Sequence, residues 1–150
     1  MSKTYTRITY QVIFSTKNRR PTLWKPGRSL LFGYLGRLLK AKSCRVYAIG
    51  GTNDHIHFVF GLHPSLAIAR LVKDLKLAAT SLIKDHPGLF PAFDYWQTGY
   101  AALTYTPAAI PNLVRYAQRQ ELHHDSETSR DELRRILLEH GVEIDDRYFV

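Results

Sequence analysis

The sequence holds one cysteine, Cys44, and one methionine, Met1. A lone thiol excludes an intrachain disulfide and a cysteine-rich zinc site. No apolar run approaches the roughly 20 residues that cross a bilayer, so no membrane association is expected. The opening Met1-Ser2-Lys3-Thr4-Tyr5 runs into an alternating segment rather than an apolar block, so no signal peptide is expected either. Internal repeats and low-complexity linkers are missing. Acidic residues are in short supply: 13 Asp and Glu face 21 Lys and Arg, leaving a net charge of +8. These absences predict a cytoplasmic protein with one domain over residues 1–150. Its basic balance suits a partner that carries phosphate.

What is present centres on His55-Ile56-His57, inside Asn53-Asp54-His55-Ile56-His57-Phe58-Val59-Phe60. Strand side chains alternate between faces. His55, His57 and Val59 therefore share one face, and Ile56, Phe58 and Phe60 share the other. The second face reads as core. The first sets two imidazoles side by side, a geometry that suits a divalent metal. The triplet alone decides little, because seven histidines in 150 residues give a chance expectation of about 0.3 such triplets.

Along the chain, residues 5–14 alternate, with Ile8, Tyr10, Val12 and Phe14 on one face and Arg7, Thr9 and Gln11 on the other. The loop Ser15-Thr16-Lys17-Asn18-Arg19-Arg20-Pro21 follows. Its cations Lys17, Arg19 and Arg20 are candidate phosphate contacts, or simply a solvated turn. Residues 27–42 carry leucines at helical spacing. Residues 44–49 read as a second strand and Gly50-Gly51-Thr52-Asn53-Asp54 as a turn into the histidine strand. Ser65 is placed to cap a helix over 66–86, which Pro87-Gly88 ends. Residues 95–105, rich in aromatics and threonine, predict a fourth strand. Trp96, Tyr100 and Tyr105 there either pack inward or stack on unpaired bases. A helix is expected over 112–124. Ser129-Arg130-Asp131-Glu132 has capping-box spacing before a short helix that Gly141 stops. The order predicts an α+β fold: a ferredoxin-like βαββαβ with an antiparallel sheet, a C-terminal helix carrying Tyr116 and a short terminal helix. The histidine strand would then be an inner one.

The helix over 112–124 holds Tyr116 and Gln120, four residues apart and so stacked on one face, with His123 nearby. Each alone reads as an ordinary packed residue. Together with the two histidines they form a pattern that resembles the HUH single-strand DNA transposases of the insertion-sequence 200/605 type, the tyrosine transposases. The resemblance runs through residues 10–21, Asn53-Asp54, His55-Ile56-His57, Trp96-Gln97-Thr98-Gly99-Tyr100 and Tyr116-x-x-x-Gln120-Glu121-x-His123-His124. The tail from His140 to Tyr148 resembles the branch that includes repeat-associated members. Gly51-Thr52 stands where many relatives have Met-Pro, and Ala101-Ala102 where glycine is common.

The resemblance implies specific roles. His55, His57 and Gln120 would hold a divalent ion, Mg²⁺ or Mn²⁺. Tyr116 would attack DNA to give a 5′-phosphotyrosine link and a free 3′-hydroxyl. The partners would be hairpin-bearing single-stranded DNA and a second copy in a homodimer, with Tyr116 able to serve either subunit. A covalent link keeps the phosphodiester energy, so strands can be rejoined without a high-energy cofactor. Three other outcomes stay open on the residues: a non-catalytic nucleic-acid-binding protein, a domesticated nuclease acting on dispersed palindromes, and a metal hydrolase that does not need Tyr116. His123 and His124 are given no role.

Overall fold

The alternation near the start becomes β1 (Thr9–Ser15). The computed structural model describes residues 3–124, 126–147 and 149, so Tyr148 of the tail motif lies outside the described residues. After β1 come a short 3-10 turn (Lys17–Arg19), α1 (Lys25–Ala41), β2 (Arg45–Gly51), β3 (His55–Gly61), α2 (Ile68–Asp85) and β4 (Ala101–Tyr105). A second 3-10 turn (Pro107–Ala109) leads into α3 (Ile110–Gln118), α4 (Gln120–His123) and α5 (Ser129–Glu139). The sheet order is β2-β3-β1-β4, and each neighbouring pair is antiparallel. This is the expected ferredoxin-like α+β arrangement, with β1 and β3 in the centre.

Period-two alternation divides β3 between two environments. Ile56, Phe58 and Phe60 meet Val12 and Phe14 of β1, Leu31, Leu35 and Leu39 of α1, and Leu71, Leu75 and Ala79 of α2. Val59, on the other face, packs with Ala48 against Leu113 and Ala117 of α3. Nearby, Ile13 and Leu103 pack against Ile136 of α5. Both faces of the sheet are therefore covered. The polar residues of the second face are buried rather than solvated: Thr9 and Gln11 on β1, and His55 and His57 on β3. Each must find a hydrogen-bond partner inside the protein.

Several local features differ from the sequence reading. Gly50 and Gly51 belong to β2, and the turn is confined to residues 52–54. Gly50 is there for close approach: a Cβ on it would lie 1.8 Å from the carbonyl oxygen of Ala117, so only glycine lets α3 settle on β2. The fourth strand is shorter than residues 95–105. Trp96 makes only an isolated bridge to Thr16, and Gly99 at φ 91° turns the chain before β4 begins. Trp96 packs edge-on against Phe14 and Phe93, and its Nε1 donates to Thr80 Oγ1 at 3.1 Å. It is a packing residue. Ser65 caps nothing, because its hydroxyl pairs with His63 Nδ1 and α2 starts behind Ala67. α5 is capped by Thr128, whose Oγ1 accepts from the Asp131 backbone N–H at 3.1 Å, which releases Glu132 from the expected capping box. No helix among the described residues is long and apolar enough to cross a membrane.

Candidate active site

His55 and His57 lie on the covered second face of the sheet, 1% and 0% exposed. Their neighbours fix which ring nitrogen carries the proton. His55 Nδ1 is 2.8 Å from Asp54 Oδ1, an oxygen that can only accept. The turn that holds Asp54 is tied down by its own contacts. Thr52 Oγ1 donates to Asp54 Oδ1 at 3.2 Å, and Ser129 Oγ donates to Asp54 Oδ2 at 3.0 Å. His57 Nδ1 is 2.9 Å from Gln11 Oε1, and the amide of Gln11 is oriented by its Nε2 donating to the Tyr105 hydroxyl at 2.7 Å. Both imidazoles thus spend Nδ1–H on a fixed acceptor. That leaves the two Nε2 atoms free to present lone pairs.

The Nε2 atoms point at oxygens that are also acceptors. Gln120 Oε1 is 2.8 Å from His55 Nε2. Its amide is fixed too, since its Nε2 donates to Glu132 Oε2 at 3.2 Å. Glu132 Oε1 is 2.9 Å from His57 Nε2 and 3.4 Å from His55 Nε2. His124 joins from the rim: its Nδ1 donates to the Glu127 carbonyl, and its Nε2 is 3.0 Å from Gln120 Oε1 and 3.2 Å from Glu132 Oε1. The nearest ligand atoms of His55, His57 and Glu132 all lie within 4.8 Å of one another. Lone pairs that converge repel unless positive charge sits among them, whether a proton or a metal ion. Two imidazole nitrogens, a carboxylate and an amide oxygen form a donor set that fits a divalent cation.

The charges follow this geometry. Burial opposes ionisation of Glu132, but hydrogen bonds with His124, His55 and His57 outweigh it and hold the carboxyl well below its usual range. For His55, burial works downward, yet Asp54 and Glu132 overcome it and raise the pKa to about 9. For His57 burial prevails, and the pKa falls to about 4. A carboxylate with a cation beside it is the arrangement at working pH.

Tyr116 comes to the same place on α3. Leu113 and Ala117 bury one side of that helix against Ala48 and Val59, and Gly50 permits the contact. The helix breaks at Arg119 (φ −102°, ψ 18°), so residues 112–124 are two helices, and α4 swings Gln120 into the cluster. The phenol of Tyr116 is half-buried. Its ring centre is 5.8 Å from that of His57 and 5.3 Å from that of His123. Its hydroxyl donates to Glu132 Oε2 and accepts from Arg135 Nη2 at 2.9 Å. Burial, then Glu132, raise the phenol pKa above its ordinary value. A cleft of about 250 Å³ lined by Gln11, Tyr105, Asn112, Tyr116, Arg135 and His140 reaches the hydroxyl from one side. A second cleft of about 410 Å³, lined by Arg28, Asn53, Asp54 and His124 among others, borders the cluster at His124.

His55, His57, Gln120 and Tyr116 are thus brought together within one chain. Of the basic loop, Arg19 reaches the edge of this group through Ser129, whose hydroxyl also bonds Asp54. Lys17 lies over the Tyr95 ring, Arg19 Nη1 donates to Ser129 Oγ at 3.2 Å, and Arg20 pairs with Asp94 at 3.0 Å. The sequence reading gives Glu132, Gln11 and Arg135 no place in the site: Glu132 stands in a capping box and Gln11 on the polar side of the first strand. A signal for Glu132 was present: it lies four residues before Ile136, on the inward stripe of α5, where an unpaired acid would be costly.

The sequence matches the family described as "Transposase IS200 like" over residues 4–120. The matched span ends at Gln120, so α5 with Glu132 and Arg135 lies beyond it. A putative transposase of Deinococcus radiodurans R1, solved at 1.90 Å, superposes with a TM-score of 0.62 at 24% identity, covering 77% of this chain and 95% of that one. A REP-associated tyrosine transposase bound to a REP hairpin superposes at 0.60 with 14% identity, covering 83% of this chain and 73% of its own. At these identities the likeness is one of fold. No curated protein matches the sequence.

Proposed function

The chain belongs to the IS200-like transposase family, and from that premise we propose that it cleaves and rejoins single-stranded DNA through a 5′-phosphotyrosine at Tyr116. One observation carries the reading. Four atoms able to ligate a cation, His55 Nε2, His57 Nε2, Gln120 Oε1 and Glu132 Oε1, converge beside the hydroxyl of a tyrosine from the same chain.

The residues divide the work. His55 and His57, each locked by its Nδ1–H, would hold Mg²⁺ or Mn²⁺ with Gln120 and Glu132. When bound, such an ion withdraws charge from a phosphodiester oxygen and orients the phosphate for in-line displacement. Tyr116 supplies the nucleophilic oxygen. Glu132 spans both parts of the site, with Oε1 on the histidines and Oε2 on the phenol. The proton on Tyr116 Oη is directed at that second oxygen, which suits proton removal as the oxygen attacks. His124 closes the rim of the cluster. Lys17, Arg19 and Arg20 would steer the phosphate backbone.

Because Tyr116 and the cluster come from one chain, a homodimer would carry two complete sites and need not exchange its tyrosines. Hairpins are the substrate shape to try first, since the hairpin-bound structural neighbour suggests it. Flanking DNA with terminal hairpins would point to a mobile element, and dispersed palindromes to a domesticated enzyme.

The test is to incubate the protein with labelled hairpin-bearing single strands from its own genomic flanks in Mn²⁺ and look for an adduct that survives denaturation. The expected result is an adduct in the wild type that Tyr116→Phe abolishes while hairpin binding persists. No adduct across the flanking hairpins, or one that persists in Tyr116→Phe, contradicts the reading.

A further inference from the structure

The hydroxyl of Tyr116 is held between opposite charges. Its proton points at Glu132 Oε2, and a lone pair accepts from Arg135 Nη2 at 2.9 Å. Arg135 is three residues after Glu132 on α5, so one helix face delivers both groups. The guanidinium is held in place. Glu127 takes it on two prongs, Nε to Oε1 and Nη2 to Oε2, each at 3.1 Å, and Glu139 Oε1 accepts from Nη1 at 3.4 Å. Glu127 is itself braced by His123 Nε2 at 2.6 Å. Carboxylate forks of this kind fix the plane of a guanidinium, and here the fixed plane aims one N–H at the phenolic oxygen.

An ion pair that only anchored α5 would be complete with Glu127 and Glu139. The further bond to Tyr116 Oη needs another explanation. Arginine keeps its proton at any working pH, so Arg135 serves as neither acid nor base. What it brings is positive charge at the atom where negative charge develops.

We propose that Arg135 is a catalytic residue: it stabilises negative charge on Tyr116 Oη both when the phosphotyrosine bond forms and when it breaks. The inference rests on the assignment of Tyr116 as nucleophile. In the forward step Tyr116 Oη bonds to phosphorus and the bond from phosphorus to the 3′-oxygen breaks. Oη gives up its proton to Glu132 Oε2, and the 3′-oxygen leaves with one taken from solvent. In rejoining, a 3′-hydroxyl attacks and loses its proton to solvent, the Oη–phosphorus bond breaks, and the phenol oxygen departs with the charge that Arg135 meets before it takes the proton back from Glu132 Oε2. Arg135 neither gains nor loses a proton in either direction. Because it acts on the same atom both ways, its loss slows cleavage and rejoining alike.

Two readouts test this, one independent of DNA. The first is adduct formation on the hairpin strands in Mn²⁺, followed by release of the adduct on adding strand with a free 3′-hydroxyl. The second is covalent labelling of Tyr116 by a small aryl sulfonyl fluoride, followed by peptide mapping, which reports the nucleophilicity of the phenol oxygen itself. Wild type, Arg135→Lys, Arg135→Gln and Arg135→Ala are compared, with Mn²⁺ affinity and the melting curve as controls. Arg135→Gln is expected to slow adduct formation, adduct release and labelling by about a hundredfold. Arg135→Lys should recover most of that loss, and added guanidinium ion should partly restore Arg135→Ala. Such rescue separates lost charge from a folding defect, which guanidinium does not cure.

Labelling no faster in wild type than in Arg135→Gln overturns the inference, as does adduct formation that Arg135→Gln leaves unchanged. Equal loss in Arg135→Lys and Arg135→Gln, with no guanidinium rescue, also overturns it and leaves Arg135 as an anchor for α5. Labelling that depends on Arg135 in a protein forming no adduct on any hairpin would show that Arg135 activates the phenol oxygen, but would overturn its role in a phosphotyrosine step together with the transposase reading.

Discussion

The two faces of β3 are equally buried but differ in what surrounds them. Ile56, Phe58 and Phe60 meet apolar side chains from β1, α1 and α2 and need nothing further. One residue along in each case, His55 and His57 are just as buried yet satisfied by polar partners: Asp54, Thr52, Gln11, Gln120 and Glu132. The same backbone serves both, and alternation keeps them apart. The apolar face stabilises the protein without regard to chemistry. The polar face depends on the sheet for rigidity and on α3, α4 and α5 for half its atoms, so it can be disabled without unfolding the protein.

That contrast is open to direct attack. The largest effect is expected from His57→Ala. It should remove Mn²⁺ binding in calorimetry and cut adduct formation by roughly a hundred- to a thousandfold, several kcal/mol of barrier, with the cooperative unfolding transition kept. Phe58→Ala should do the reverse. Its denaturant midpoint should fall by the equivalent of about 3–5 kcal/mol, while the folded fraction keeps its metal affinity. If each variant damaged both properties equally, the division between the faces would be wrong. Gln11→Ala, which touches no proposed substrate, should weaken Mn²⁺ binding by about ten- to a hundredfold by freeing the His57 ring.

A pH series sharpens the same point. His55 has its pKa raised to about 9, so below that pH it holds a proton that an incoming metal must displace. Mn²⁺ affinity should therefore rise with pH, by up to about tenfold per unit, and level off once His55 is neutral. Proton release, measured by calorimetry in two buffers of different ionisation enthalpy, checks the sign. The smallest effect belongs to the basic loop. Lys17→Ala or Arg20→Ala should lower the slope of log affinity against log salt by about one each, with adduct chemistry unchanged at saturating DNA.

The sequence exposed those parts of the site that local periodicity controls. The histidine strand follows from alternation, and the pairing of Tyr116 with Gln120 from helical spacing. Glu132 and Arg135 were hidden because their spacing also fits a capped, solvated helix. Only the docking of α5 over the polar face turns them inward, and that contact is long-range. Gly50 was read as a turn residue for a similar reason. Its role depends on Ala117, 67 positions away in the chain, and glycine carries no mark of what approaches it. Thr9 and Gln11 were set on the face opposite Val12 and Phe14 and no more, because polar alternation is the same whether the partner is water or a buried imidazole. The fold class was legible throughout, since strand and helix order alone restricts the sheet to few arrangements.

The central claim is that β3 and the C-terminal helices of one chain build a single cation site beside Tyr116. Anomalous scattering from crystals grown with Mn²⁺ tests it most directly. The account predicts one strong peak about 2.1 Å from His55 Nε2 and His57 Nε2, with Gln120 Oε1 and Glu132 Oε1 of the same chain completing the set. A peak that leaves Glu132 uncoordinated and its carboxylate turned away, or no peak between the two histidines, would contradict it.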